Sequence, residues 1–155
     1  MYVFDTSSFR VLRNYYRGNF PSFWERFDSF VKAGEVISVR EVRNELKQLL
    51  SEGWLNDWIN EHPELFPIPS QQETAFVSEI FAVPHFQSLI SQKQRLKGKP
   101  VADPFVIAAA RVNEATVVTE ELFKPNAAKI PNVCEHFNIG WIDLEMFLTI
   151  NAWQF

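Results

Sequence analysis

Cysteine is nearly absent: the 155-residue chain has one, Cys134. No internal disulfide can form, and the composition suits a reducing compartment, so a cytoplasmic protein is expected. Cys134 falls in an apolar-periodic stretch and reads as a small core residue. With no second thiol, and with His62, His85 and His136 isolated from one another, no His/Cys cluster offers a zinc site. Also missing is any run near the roughly 18 apolar residues that span a bilayer, or a basic-then-apolar start of the secretory kind. No membrane partner is expected. Internal repeats, low-complexity segments and linkers are lacking, and the length suffices for one sizeable core but not two, which predicts a single domain over residues 1–155. Basic charge is not in excess either. The formal net charge is -4 at pH 7, a sum that by itself disfavours a nucleic-acid partner.

Aromatic residues, by contrast, are abundant: 15 Phe and 5 Trp in a chain that is 46% hydrophobic, far from the composition of disordered proteins. Short apolar or β-branched runs at YVF (2–4), EVI (35–37), LFPI (65–68), ATVVT (115–119) and GWID (140–143) predict five strands. Between them lie helical patterns. One begins at Pro21 and ends at Gly34, with Phe23, Trp24, Phe27, Phe30 and Val31 on its inner face. In SVREVRNELKQLL, Val39, Val42, Leu46 and Leu49 form an apolar stripe, and Ser38 with Glu41 has the spacing of a capping box. Residues 54–62, 71–82 and 85–95 are further helical segments, and KGKP (97–100) is a loop. In DPFVIAAARVN, Asp103 is placed as a cap and Pro104 in the first turn, and the alanines allow close approach to a sheet. Strands alternating with helices predict an α/β domain with a mainly parallel five-stranded sheet, whose ligands lie beyond the carboxyl ends of the strands.

Acidic residues gather at those predicted ends. Asp5 closes the first strand, Asp103 opens a helix, and Glu120 and Glu121 follow ATVVT. Glu45 borders the apolar stripe of its helix, one turn after Glu41. Each also has an ordinary structural reading, as a cap, a solvated charge or a polar turn. Carboxylates pressed together repel unless a proton or cation intervenes, and an oxygen-only, His-poor set suits Mg²⁺ or Mn²⁺ with phosphate oxygens completing the shell.

In order, VFDTSSF, ISVREVRNEL, VADPFVIAAA and VVTEE resemble the PIN-domain ribonucleases, including the VapC toxins of bacterial toxin–antitoxin pairs. KIPNVCEHFNIGWIDLEMFLTINAW and FPSFWERFDSFVKAGEVISVREV further resemble a PIN-like subfamily of mostly hypothetical prokaryotic proteins. The resemblance implies a PIN-like three-layer fold and Mg²⁺- or Mn²⁺-dependent endonucleolytic hydrolysis of RNA phosphodiesters. It carries catalytic and metal-ligating roles onto Asp5, Glu45, Asp103 and, by its spacing from Thr119, Glu121. The family often has Asp or Asn at the fourth position, where this chain has adjacent Glu120 and Glu121, so Glu120 stands as an alternative ligand. It further implies a cognate antitoxin that places an Arg or Lys among the carboxylates, and pairing as homodimers.

RNA contacts are expected from Thr6 and Ser7, which can bond a phosphate, orient a carboxylate or simply cap backbone N–H groups. Arg10, Arg13 and Arg17 after Asp5, and Lys93, Arg95, Lys97 and Lys99 before Asp103, are basic sets beside the predicted ligands. A haloacid-dehalogenase-like phosphatase would need a second Asp where Ser7 stands. The rival kept is a PIN-like module that binds RNA or protein without cutting.

Overall fold

The computed structural model describes residues 1–89 and 101–155. Its centre is a four-stranded, all-parallel sheet in the order β2-β1-β3-β4. The strands are β1 (Tyr2–Phe4), β2 (Val36–Ile37), β3 (Thr116–Val118) and β4 (Trp141–Ile142). Eight helices of the described residues flank it: α1 (Thr6–Leu12), α2 (Pro21–Lys32), α3 (Arg40–Leu49), α4 (Trp54–Glu61), α5 (Gln71–Ala82), α6 (Asp103–Val112), α7 (Ile130–His136) and α8 (Leu144–Ile150). None is long and apolar enough to cross a membrane.

The expected fifth strand at 65–68 does not form, and proline is the reason. The segment runs beside the end of β2, where Ser38 N–H donates to the Leu65 carbonyl (2.8 Å) and Arg40 N–H to the Pro67 carbonyl (3.2 Å). A parallel ladder needs return bonds from the other chain. Pro67 has no N–H to give, and Leu65 N–H is spent on the His62 carbonyl in the 3-10 turn Pro63–Leu65. Residues 65–67 therefore offer acceptors only. A second 3-10 turn, Pro84–Gln87, starts the segment expected as a helix over 85–95, whose part from residue 90 onward lies outside the described residues.

Two helix starts also differ from expectation. Ser38 and Glu41 do not form a capping box: the helix begins after Val39 with no side-chain cap. Ser38, buried at the end of β2, gives its hydroxyl to the Phe4 carbonyl (2.7 Å), and Glu41 takes the Arg40 guanidinium instead (2.7 Å). The capping box of this chain is Ser70 with Glu73 at the start of α5. Asp103 is the first residue of α6, not its cap, a place held by Ala102.

Phe4 shows how the core is filled. Its ring meets Phe27 of α2 at 5.4 Å and Phe147 of α8 at 5.2 Å, both edge-on, and Phe27 continues to Trp58 of α4 at 5.7 Å. Edge-on ring pairs contribute about 0.5–1.5 kcal/mol each beyond their burial. The alanine-rich helix α6, with Ala108, Ala109 and Ala110 all buried, lies against β1 and β3, where small side chains bring backbone close to backbone.

Candidate active site

The parallel register sets the ends of β1 and β3 side by side. Phe4 pairs with Val118, and Asp5 N–H donates to the Val118 carbonyl (3.1 Å), so Asp5 and Thr119 leave the sheet as neighbours. Asp5 then turns the chain into α1. Its carboxylate caps that helix by accepting from Ser8 N–H (2.8 Å), so the structural role read from the sequence is present.

The cap is only part of its surroundings. Asp5 is 4% exposed. The Thr119 hydroxyl donates to Oδ2 (2.7 Å), and the Ser7 hydroxyl lies 2.8 and 2.7 Å from the two oxygens. The Ser8 hydroxyl shares its proton between Asp5 Oδ1 (2.9 Å) and the Val118 carbonyl (2.8 Å). All of these donors are neutral. Burial pushes the Asp5 carboxyl above its ordinary range, and the bonds from Ser8 N–H, Thr119, Ser7 and the Ser8 hydroxyl only partly offset it.

The same hydroxyls tie down the chain after β3. Thr119 Oγ1 accepts from Glu121 N–H (3.1 Å) and Ser7 Oγ from Glu120 N–H (2.9 Å). Both glutamates stand at the same end of the sheet as Asp5. Their carboxylates are engaged at helix starts: Glu121 Oε2 accepts from Ile130 N–H at α7 (2.9 Å), and Glu120 Oε1 from Leu144 N–H at α8 (2.9 Å).

Glu45 joins this end from α3. Its Oε2 accepts from the Thr6 hydroxyl (2.6 Å), and its Oε1 from Ala102 N–H (3.1 Å), the residue before Asp103. One carboxylate thus links the start of α1 to the start of α6. Shared hydroxyl partners bring Asp5, Glu120 and Glu121 to the carboxyl end of the sheet, Glu45 joins through Thr6, and Asp103 follows Ala102, whose N–H bonds Glu45. No three of the described His, Cys, Asp and Glu side chains stand together as a group able to hold a metal ion. Among the described residues, no Lys, Arg or His pairs with Asp5 or Glu45.

Thr6 and Ser7 turn their hydroxyls to carboxylates, which is the orienting arrangement. Arg10 and Arg13 are exposed along and just beyond α1. Arg17 is held elsewhere, by Asp28 (3.2 Å) and Glu61 (3.3 Å). Lys93, Arg95, Lys97 and Lys99 lie outside the described residues. Glu41 is 5% exposed, with Oε1 on Arg40 and Oε2 buried without a partner.

Thr119 and Ser8 are members that sequence reasoning did not single out. The available signal was positional: Thr119 follows a buried strand as Asp5 does, and a parallel neighbour shares its rim. A hollow of about 380 Å³, lined by Cys134, Glu135, Asn138, Ile139, Gly140 and Trp141, lies at the opposite, amino-terminal end of β4 and takes no part in this site.

A parallel sheet flanked by helices, with carboxylates and hydroxyls at its carboxyl rim, defines an α/β domain with a polar site in the usual place for that architecture. The chain belongs to the family described as Domain of unknown function (DUF4411), whose model matches residues 2–155. No curated protein matches it.

Proposed function

We propose that this chain is a PIN-like, Mg²⁺- or Mn²⁺-dependent endoribonuclease that acts as the toxin of a type II toxin–antitoxin pair. One observation carries the reading: Asp5, buried at the end of β1, is surrounded by neutral donors and pairs with no described protein cation. A buried carboxylate without a counter-charge is unfavourable, and a hard divalent ion offsets that cost. The oxygen-only donors at this rim fit such an ion in kind. Asp5, Glu45 and Asp103 would hold it, with Glu121 or Glu120 contributing from the loop after β3. When bound, the ion supplies Lewis-acid activation of the phosphodiester and of water.

The side chains of this chain do the positioning. Thr119, Ser7 and Ser8 fix both oxygens of Asp5, and Thr6 with Ala102 N–H fixes both oxygens of Glu45. Neither carboxylate needs to reorganise when a substrate arrives, the condition for electrostatic catalysis. Arg10 and Arg13, exposed along and just beyond the helix that Asp5 caps, supply phosphate contacts, as do Lys97 and Lys99 in this reading. A cognate antitoxin silences the site by placing an Arg or Lys among the carboxylates, and two copies of the toxin pair as a homodimer.

The engagement of Glu120 and Glu121 at the starts of α8 and α7 favours a second reading: a PIN-like module that binds RNA or a protein without cutting.

Incubating the protein with single-stranded and structured RNAs in Mg²⁺, Mn²⁺ or EDTA separates the two. Cleavage that needs metal and falls at least about 100-fold in Asp5→Asn and Asp103→Asn is expected. Metal-independent cleavage, or full activity in both variants, contradicts the catalytic assignment, and binding without cleavage selects the module. Induced expression should arrest growth, with Asp5→Asn relieving the arrest.

A further inference from the structure

The loop that leaves β3 exposes two large apolar side chains next to the acidic rim. Leu122 is 72% and Phe123 49% exposed, and they are followed directly by Lys124. Among the described residues, Phe123 enters no ring pair or cation–π contact, while most described aromatic rings are packed into the core. Exposed apolar residues scattered singly need no explanation, but an adjacent pair at the mouth of a polar site does.

The loop's backbone is fastened in place. Glu121 N–H is bonded to Thr119 Oγ1, and Glu121 Oε2 accepts from Ile130 N–H at the far end of the loop. Between them, the Lys124 carbonyl accepts from Ala127 N–H (3.0 Å) and from the Asn132 amide (2.7 Å), with Asn126 left-handed at the turn (φ 61). Four bonds thus hold the loop while Leu122 and Phe123 project from it. A backbone already held in place lowers the ordering cost of using its side chains in binding.

Sequence separation bounds the distance to the site. Phe123 is four residues from Thr119, whose hydroxyl touches Asp5, and four residues of chain span at most about 14 Å. At about 3.4 Å per stacked nucleotide, that places the Phe123 backbone within at most about four nucleotides of Thr119. Lys124 follows the ring directly in sequence and Lys129 ends the same loop, cations that a purely apolar partner would not need, while Glu120 and Glu121 precede the pair on the side of the rim. An apolar pair followed by a cation matches an unpaired nucleotide, with its flat base and its phosphate. A duplex keeps its bases stacked on one another and cannot offer one.

We infer that Leu122, Phe123 and Lys124 form a base-stacking platform that selects single-stranded nucleic acid for the rim, with Phe123 as the specificity-determining side chain. This inference rests on the nuclease reading given above.

Asp103→Asn protein, with cleavage silenced, tests it by fluorescence anisotropy in Mg²⁺. The probes are a labelled mixed-sequence ten-nucleotide single strand and an RNA duplex of the same length. Adding Phe123→Ala should weaken single-strand binding about tenfold or more and leave duplex binding within about twofold. Tyr16→Ala, which removes another exposed ring, should change neither, and Lys124→Ala should lower the salt dependence of binding. Unchanged single-strand affinity in Phe123→Ala overturns the inference and leaves the nuclease reading standing. Absence of RNA binding by the Asp103→Asn parent overturns both. A dimer in analytical ultracentrifugation that Phe123→Ala dissociates would assign the loop to self-association and overturn the platform.

Discussion

Asp5 is a compromise between two demands on one carboxylate. As a helix cap it needs negative charge and bonds to N–H groups, whereas its burial at the end of β1 penalises that same charge. Burial is the larger influence, so the folded protein holds its Asp5 proton to higher pH than the unfolded chain, whose group titrates near its ordinary 3.8. A folded-state pKa above the unfolded one means that stability falls as pH rises from that value through the folded one. Asp5→Asn removes the charge and with it this dependence. In metal-free buffer, the melting temperature of Asp5→Asn relative to wild type should therefore rise from pH 4 toward neutrality; a difference that stays flat or falls would contradict the burial argument. The sequence showed Asp5 and its rim counterparts because strand ends are visible in apolar patterning. It did not show Thr119 or Ser8 as partners, since a hydroxyl acquires that role only when a parallel neighbour brings it across the sheet.

Helix endings are where the elements of this chain are most regular. At the end of α2, Gly34 N–H bonds the Val31 carbonyl and Glu35 N–H the Phe30 carbonyl, with Gly34 left-handed at φ 72. This is the Schellman pattern, and it feeds β2. The same paired bonds end α6 at Glu114 (φ 51), α7 at Asn138 (φ 53) and α8 at Ala152 (φ 53). Each strand after β1 is therefore entered through a left-handed residue, but α2 alone among these uses glycine there. Glu114 and Ala152 carry a Cβ in a conformation that costs about 1 kcal/mol or more. Glu114→Gly and Ala152→Gly should each gain about 0.5–1 kcal/mol in urea unfolding, and a loss would show that the side chains contribute something the backbone geometry does not reveal. The endings at Glu114 and Ala152 were not legible in advance, because Glu and Ala are poor markers of a left-handed turn, whereas Gly34 marked the end of α2. The Ser38–Glu41 pattern was legible and misleading: burial redirected Ser38 to the Phe4 carbonyl, while the same spacing at the solvent-facing Ser70 gave a true box. The run at 65–68 has a strand's hydrophobicity, but Pro67 removes the hydrogen bond that would have closed the ladder.

At the scale of the whole molecule, the alternation of strand and helix was enough to foresee a parallel sheet flanked by helices, though with one strand too many, and the site at its carboxyl rim remains the proposal. The core beneath the sheet's carboxyl end is aromatic: Phe4 of β1 meets Phe147 on α8 and Phe27 on α2, and Phe27 continues to Trp58. Cys134 belongs to that packing: burial pushes its thiol up to about 12, consistent with a small core side chain. Charge is unevenly placed. Several acidic groups stand at the carboxyl end of the sheet, and Arg10 and Arg13 are exposed along and just beyond the helix that Asp5 caps, so the net charge of -4 says little about what binds there. The proposal that Asp5, Glu45 and Asp103 jointly hold a divalent cation, which the described side chains do not already form as a ready cluster, is open to a direct test. Titrating the full chain with Mn²⁺ by electron paramagnetic resonance tests it without relying on any RNA. Saturable binding at one or two sites, weakened about tenfold or more in both Asp5→Asn and Asp103→Asn, is the predicted result. Absence of saturable binding, or equal affinity in wild type and both variants, would contradict it.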